Sequence, residues 1–305
     1  MRIVLIAHPS LGSKLLEAIV EEGEEEVVAV FAPGADPEQP GPLKELADRN
    51  GIPVHQPRHM KEAGVYETIA SYRPDLGVMG FVADIVPRAI LDCPRLGTIM
   101  YHPSLLPRHR GGSALNWPII QGETRTGLTI IWPDQGIDTG PILLQKAVDI
   151  HPDDTVGSLF YNKLYPMGVE ALVEAIQLVR AGKAPRIPQD DSQATYEPLC
   201  REQHGIIDWT KPAGEVYNLI RGTNPQPGAS TTWQGQKLKI FDSELIKSAP
   251  AGAPGEVISI SEEGFTVACR GGSILVKRVQ PAGSGKLSAA EFIKSAGLKK
   301  GDRLG

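Results

Sequence analysis

Cysteines are scarce in this 305-residue sequence, and the three that are present are not spaced for a structural role. Cys93, Cys200 and Cys269 are an odd number without CxxC spacing, so neither a disulfide framework nor a structural zinc site is predicted. No apolar run approaches the ~20 residues that a membrane-spanning helix requires. These absences predict a protein of the reducing cytoplasm that binds no metal and crosses no membrane.

Two phosphate-binding loops are absent as well. The first strand-to-helix turn, residues 8–13, reads HPSLGS and lacks the GxGxxG spacing that brings backbone against a pyrophosphate. The GxxxxGK[ST] loop of ATP- and GTP-binding proteins is also missing. Dinucleotide cofactors and nucleoside triphosphates are therefore not predicted as ligands.

The remaining composition is that of a globular chain with a small acidic excess. Hydrophobic residues make up 41% of the sequence and charged residues 22%, a balance that excludes global disorder. The formal net charge is -5, but from Gly205 onward 13 basic and 9 acidic residues give +4, against -9 for the preceding residues. This charge predicts no DNA partner and is compatible with weak contact to RNA.

Short β-rich runs alternate with helical segments in the first half, the pattern of βαβ units in a parallel sheet. The predicted strands are Ile3 to Ala7, Val27 to Phe31, Leu76 to Phe81, Thr98 to Tyr101 and Leu128 to Trp132. The predicted helices are Ser13 to Glu22, Pro42 to Asn50, Val65 to Ser71, Ser113 to Gln121 and a nearly unbroken run from Asp154 to Ala181. The fold class predicted for this half is α/β, a doubly wound parallel sheet.

A different pattern follows the proline-containing, polar stretch at residues 182–203. After a short helix at Ala213 to Arg221, alternating runs separated by Gly, Pro and Ser indicate a small antiparallel barrel or sheet. These runs are Gln236 to Phe241, Glu256 to Ile260, Phe265 to Cys269 and Ser273 to Val279. The predicted organisation is a first domain at 1–182, a linker at 183–205 and a second domain at 206–305.

Two polar segments follow predicted strands, at the edge where doubly wound folds bind ligands. His102 begins the proline-fixed loop HPSLLPRHRGG, and an imidazole with a pKa of ~6.5 suits acid-base chemistry, although its ring could equally bond a loop carbonyl. Asp138 lies in DQGIDTG, whose glycines permit a tight turn, and by itself it could be an Asx-turn residue. If the two strands are neighbours, Asp138 can reach His102, hold its tautomer and stabilise the imidazolium.

Other side chains of these loops are weaker candidates. Ser104 lies beside His102, but no GxSxG elbow supports a serine nucleophile. His102 and His109 are seven residues apart without a third ligand, which argues against zinc. Arg108 and Arg110 could meet an anionic group of a substrate or could stabilise the loop.

The sequence resembles the folate-dependent formyltransferase family over nearly its whole length. The resemblance is carried by HPSLLPRHRGG at 102–112, the strand at 128–132, DQGIDTG at 134–140 and IDWTKPA at 207–213. The family includes methionyl-tRNA formyltransferases, amino-sugar N-formyltransferases and the N-terminal hydrolase domain of 10-formyltetrahydrofolate dehydrogenase, which this sequence resembles most. The resemblance implies a Rossmann-like domain followed by a small OB-like β-barrel.

The resemblance also implies a donor and a set of site residues. The formyl donor is expected to be 10-formyltetrahydrofolate, and no metal is expected to take part. The catalytic histidine of the family falls on His102 and the catalytic aspartate on Asp138. The residues expected to bind the folate are Gly80, Phe81, Val82, Ala83, Asp84, Ile85, Met100, Ser104, Leu105, Arg110, Gly136, Ile137, Thr139 and Gly140.

Two positions depart from the pattern of the family. Met100 stands where the transferases carry an asparagine whose amide helps to stabilise the oxyanion of the tetrahedral intermediate, and a thioether cannot donate a hydrogen bond. The hydrolase domain of the dehydrogenase similarly carries an apolar residue there. Residues 32–41 hold two acids and no base, where methionyl-tRNA formyltransferases carry a basic insertion that contacts tRNA.

These departures favour a cytoplasmic enzyme that removes the N10 formyl group and passes it to water or a thiol, in the manner of the hydrolase domain. An amine acceptor is also open. The alternatives are a methionyl-tRNA formyltransferase, an amino-sugar N-formyltransferase and a catalytically inactive folate-binding protein.

Overall fold

The short apolar runs of the first half form seven strands of one sheet. They are β1 (Arg2–Ala7), β2 (Glu26–Phe31), β3 (Val54–His55), β4 (Leu76–Gly80), β5 (Thr98–His102), β6 (Arg125–Ile131) and β7 (Ile142–Asp149). The computed structural model describes residues 1–35, 41–82, 84–248 and 251–305, and it orders these strands β3-β2-β1-β4-β5-β6-β7. β1, β2, β4 and β6 are buried along nearly their whole length, as strands covered on both faces of a sheet should be.

The strand direction of this sheet reverses between β5 and β6. The strands β1 to β5 pair in parallel, whereas β6 runs antiparallel to β5, with Met100 opposite Ile131 and His102 opposite Thr129. The predicted Rossmann-like fold class is confirmed, with the difference that the sheet is mostly rather than wholly parallel. An apolar run reads the same in both directions, so the sequence could not reveal the reversal.

Helices lie between and after these strands along the chain. They are α1 (Pro9–Glu22), α2 (Pro42–Arg49), α3 (Val65–Ser71), α4 (Arg88–Leu91), α5 (Asn116–Ile120), α6 (Val156–Leu159) and α7 (Tyr165–Arg180). The run predicted from Asp154 to Ala181, nearly unbroken apart from Pro166, is helical from Val156 to Arg180, with a π-helical turn at Phe160–Leu164 between α6 and α7. Pro166 follows this turn as the second residue of α7.

Antiparallel strands form the C-terminal segment, as predicted. After α8 (Ala213–Gly222) come β8 (Ala229–Trp233), β9 (Gln236–Ile240), β10 (Ser243–Ile246), β11 (Val257–Ile260), β12 (Phe265–Cys269), β13 (Gly272–Val276), β14 (Arg278–Pro281), β15 (Leu287–Ser288) and α9 (Ala289–Ala296). They make two four-stranded sheets, ordered β10-β13-β12-β11 and β15-β14-β9-β8. The single strand predicted at Ser273 to Val279 is in fact two strands in different sheets, and the change falls at Lys277, whose N–H donates to the Asp242 carbonyl at 2.8 Å.

The chain divides into two compact units, each with its own apolar core. One unit comprises Met1–Ala114, Gly127–Val148 and Tyr161–Glu197, and the other comprises Leu115–Thr126, Asp149–Phe160 and Pro198–Gly305. Buried side chains of β1, β2 and β4 pack in the first, and those of α8, β12 and β13 in the second. Within the described ranges, no helix has both the length and the apolar character needed to cross a membrane.

Gly127, in β6, marks a close approach of two neighbouring strands. A Cβ atom at this position would lie 2.1 Å from the carbonyl oxygen of Lys146 and 2.6 Å from a methyl carbon of Leu105. We expect Gly127→Ala to lower the free energy of unfolding by about 1–3 kcal/mol, because the backbone of β7 has to move. Gly214→Ala is the control, since a Cβ atom there meets no atom within 4 Å and alanine favours the helix α8. Denaturant unfolding of both variants should show a loss for Gly127→Ala only, and equal stabilities would contradict the packing described.

Candidate active site

The imidazole of His102 lies at the end of β5, buried between two oxygen atoms. Its Nε2 is 2.9 Å from the carbonyl oxygen of His109, and its Nδ1 is 3.4 Å from Oδ1 of Asp138. A carbonyl oxygen only accepts hydrogen bonds, so Nε2 carries a hydrogen in this geometry. The second nitrogen, Nδ1, faces the carboxylate of Asp138. Because Nε2 already carries a hydrogen, Nδ1 is the nitrogen at which the neutral ring can gain a proton.

Asp138 is held in a left-handed backbone conformation, with φ of 55°. The N–H of Gly111 donates to Oδ2 at 2.8 Å, which leaves Oδ1 directed at His102. Gln189 donates from Nε2 to the carbonyl oxygens of Asp138 and Gly140, both at 2.8 Å. A non-glycine residue rarely adopts this conformation unless its surroundings fix it, and these hydrogen bonds supply the constraint.

The turn that carries Asp138 is also fixed internally. The carboxylate of Asp134 accepts from the N–H of Gly136 at 3.0 Å and from the hydroxyl of Thr139. A Cβ atom at Gly140 would lie 1.9 Å from the carbonyl oxygen of Trp132, so only glycine fits there. β6 ends beside Met100, two residues before His102, and the turn then folds back to bring Asp138 to the imidazole.

Ser104 and Arg110, both predicted to bind the folate, are buried in the loop after β5. Ser104 is 0% exposed, and its hydroxyl donates to the carbonyl oxygen of Arg108 at 2.7 Å. Arg110 is 3% exposed, and its guanidinium contacts Gln189, Asp191 and Tyr196. For Arg110 the sequence left two interpretations open, and these contacts correspond to stabilisation of the loop.

The other predicted folate residues lie on β4, on β5 and on the loops that follow β4, β5 and β6. Gly80 ends β4, and the ring of Phe81 lies with its centroid 6.4 Å from those of His8 and Tyr101. Asp84 accepts from the N–H of Met60 at 2.6 Å, which fixes the loop after β4. The remaining ones that the structure describes are Val82, Ile85, Met100, Leu105 and Ile137. Ala83 lies outside the described residues.

Two large apolar side chains on these loops are left exposed. Ile85, after β4, is 84% exposed, and Ile137, in the Asp138 turn, is 64% exposed. Ligand-binding surfaces are mostly lined by apolar side chains. A pteridine and its attached aromatic ring are flat and partly apolar, so the residues present fit the expected donor.

Burial governs the acid-base behaviour of the site. It lowers the pKa of His102 below its ordinary value of about 6.5, while the negative charge of Asp138 acts in the opposite direction. A neutral imidazole beside a carboxylate can accept a proton from an attacking nucleophile and return it to a leaving group. Among the described residues, no cluster of His, Cys, Asp or Glu could hold a metal ion.

Several residues that hold this arrangement together are not marked by any motif in the sequence. Gln189, Thr195 and Glu197 come from the polar stretch that was interpreted as a linker. Gln189 contacts Asp138 as described, Thr195 accepts from the N–H of His109 at 2.8 Å, and Oε1 of Glu197 lies 3.1 Å from Nδ1 of His109. No periodicity marks such residues, because their partners lie about 50 to 90 positions away in the sequence.

The fold defines an α/β protein with a buried histidine–aspartate pair at the end of β5, and comparison with known proteins assigns the family. Residues 1–176 match the formyl transferase family and residues 200–297 match the formyl transferase C-terminal domain. The chain belongs to the formyl transferase family. The predicted formyl donor, 10-formyltetrahydrofolate, is the donor that this family uses, and the prediction of an enzyme is confirmed.

Individual relatives share this family but differ in what they do. The chain is 41% identical to a methionyl-tRNA formyltransferase of Trichlorobacter lovleyi over 99% of this chain and 96% of that protein. It is 36% identical to the cytosolic 10-formyltetrahydrofolate dehydrogenase of Xenopus laevis over 97% of this chain but only 34% of that protein. The structure of HypX from Aquifex aeolicus in complex with tetrahydrofolic acid shares the fold, with a TM-score of 0.72 and 21% identity over 100% of this chain and 50% of that one.

The lowered pKa of His102 can be tested by the pH dependence of stability and by titration of the imidazole. Between its pKa in the folded protein and about 6.5, the ring stays neutral when folded and is protonated when unfolded, so stability falls as the pH decreases through this range. We expect nitrogen NMR of the imidazole to give a pKa below 6.5. In Asp138→Asn the pKa should fall further, because the carboxylate that raises it is gone. A value above 6.5 in the wild-type protein would mean that burial is not the dominant effect.

Proposed function

We propose that this protein transfers the formyl group of 10-formyltetrahydrofolate to the α-amine of methionyl-tRNA. The observation that carries the proposal is the end-to-end match with a methionyl-tRNA formyltransferase, at 41% identity over 99% of this chain. The positive net charge from Gly205 onward is compatible with contact to tRNA phosphates. Residues 32–41 hold two acids and no base, which disfavours contact of this stretch with tRNA phosphates. Residues 36–40 lie outside the described residues. This acceptor agrees with the expected cytoplasmic location.

The proposed reaction balances without a further reactant. The amine nitrogen bonds to the formyl carbon, the bond from that carbon to N10 breaks, and one proton passes from the amine to N10. Neutral His102 accepts this proton at Nδ1, the nitrogen that the His109 carbonyl does not engage. Asp138, with 3.4 Å between Oδ1 and Nδ1, stabilises the resulting imidazolium until the proton is returned.

The donor is proposed to lie on the loops that follow β4 and β6. Exposed Ile85 and Ile137 support this placement, because they offer apolar surface on both loops. Ser104 and Arg110 are assigned a supporting role for the loop, since their polar groups are already bonded within the protein. Phe81 adds an aromatic ring next to Tyr101.

Hydrolysis of the donor to tetrahydrofolate and formate is the second candidate function, and Met100 favours it. This residue lies in β5 two positions before His102, packed beside an apolar core, and provides no hydrogen-bond donor for an oxyanion. Loss of one such donor typically costs about 2.7–4 kcal/mol of transition-state stabilisation. The comparisons do not confirm hydrolysis, which was the main function predicted from the sequence, and they favour the tRNA alternative.

Removing the carboxylate of Asp138 tests the proposed catalytic pair. We expect Asp138→Asn to lower kcat by about 100- to 10,000-fold with a normal thermal unfolding curve, because the imidazolium loses its counter-charge. Asp48→Asn makes the same chemical change at an exposed ion pair with Lys44 and should keep the wild-type activity. Formation of radiolabelled formylmethionyl-tRNA from charged tRNA and 10-formyltetrahydrofolate is the measurement. An active Asp138→Asn protein would remove the proposed mechanism.

Met100→Asn separates the two candidate functions. The wild-type protein is expected to formylate methionyl-tRNA, with little formate released when no acceptor is added. Introducing the amide should raise the ratio of formylated product to formate by about 10-fold or more, because the amide stabilises the oxyanion of amine transfer. Both products are measured in the same reaction, with uncharged tRNA as the control. Formate release at an equal rate with and without methionyl-tRNA would instead identify a hydrolase.

A further inference from the structure

A second histidine–carboxylate pair lies directly behind the catalytic one. Nδ1 of His109 is 3.1 Å from Oε1 of Glu197, and these side chains are only 3% and 13% exposed. A buried carboxylate is costly unless a partner compensates it, so the pair is a built feature and not a surface contact. The roles proposed for His102 and Asp138 do not use it.

This pair is joined to the catalytic histidine through a single residue. The backbone carbonyl of His109 is the group that engages Nε2 of His102, at 2.9 Å. His109 itself has a left-handed φ of 56°, a conformation that a non-glycine residue keeps only under constraint. Its ring nitrogen Nδ1 lies against Oε1 of Glu197, and its N–H donates to the hydroxyl oxygen of Thr195 at 2.8 Å.

The segment that carries Glu197 runs alongside the loop of His109. The N–H of Arg110 donates to the Thr195 carbonyl at 3.0 Å, and Arg110 and Tyr196 form a parallel bridge. The orientation of the His109 carbonyl is therefore determined by contacts on both sides of the residue. A shift of this carbonyl would leave Nε2 without its acceptor, and the hydrogen could then settle on Nδ1, facing Asp138.

We propose that the His109–Glu197 pair positions His102 by aiming the His109 carbonyl at Nε2, so that Nε2 keeps its hydrogen and Nδ1 is the nitrogen that exchanges protons. Glu197 and His109 are thus positioning residues that act through His102. The proposal rests on the proposed function, since only formyl transfer gives Nδ1 its task. It adds two residues and a defined tautomer to the catalytic pair.

The tautomer can be observed without any turnover. Nitrogen NMR of the imidazole rings distinguishes a protonated from an unprotonated ring nitrogen, and the His102→Asn spectrum identifies the signals of His102 among seven histidines. At pH 7.5 the wild-type protein should show hydrogen on Nε2 only. Glu197→Leu, which keeps the volume but offers no acceptor, should show a mixture of both tautomers. Glu197→Gln retains an acceptor oxygen and should resemble the wild-type protein.

The same variants should change kcat and leave KM nearly unchanged. We expect Glu197→Leu to lower kcat by about 100-fold, the typical effect of a misplaced catalytic group, with the KM for 10-formyltetrahydrofolate within about 2-fold. Glu197→Gln should recover kcat to within about 3-fold. Glu174→Gln is the matched control, since it removes an exposed ion pair with Lys146 and should change neither the tautomer nor kcat.

If Glu197→Leu does not fold, a second substitution tests the same pair. His109→Asn removes the ring, and asparagine tolerates the left-handed conformation, so it should behave like Glu197→Leu. A folded Glu197→Leu or His109→Asn protein with hydrogen on Nε2 only overturns the proposal, whatever its kcat. A wild-type protein that formylates no acceptor contradicts the proposed function instead, and the NMR comparison still decides whether the pair sets the tautomer.

Discussion

The hydrogen bond from the Gly111 N–H to the Asp138 carboxylate joins two loops that leave the sheet in different directions. Because β6 is antiparallel to β5, the turn after β6 starts beside Met100 and must return to reach His102. Gln189 holds the same turn from the other side through the Asp138 and Gly140 carbonyls. The geometry of the proposed catalytic pair therefore depends on contacts between loops more than on any one strand.

The sequence predicted those site residues that combine a reactive side chain with a position directly after a strand. His102 and Asp138 could be found because each follows an apolar run and sits among prolines or glycines that restrict the backbone. The same information did not give the direction of β6, since alternation and burial are identical for both directions. It also did not give Gln189 or Glu197, because an irregular polar segment acquires its partners only when the sheet is assembled.

Residue type alone was ambiguous at the buried polar positions. An arginine beside a catalytic loop suits an anionic ligand as well as the loop itself, and only the burial of Arg110 among Gln189, Asp191 and Tyr196 separates these uses. Met100 is similar, since a thioether at the end of a strand can fill space or replace a lost amide. The acceptor of the formyl group is decided by such details, which motifs shared by the whole family do not contain.

The two exposed isoleucines have a thermodynamic consequence for ligand binding. Ile85 and Ile137 each keep hydrocarbon surface in water, on the loops after β4 and β6. A flat molecule that covers them releases the ordered hydration shell, so its association carries a negative change in heat capacity. The enthalpy of that association becomes more favourable as temperature rises, while the entropic gain declines.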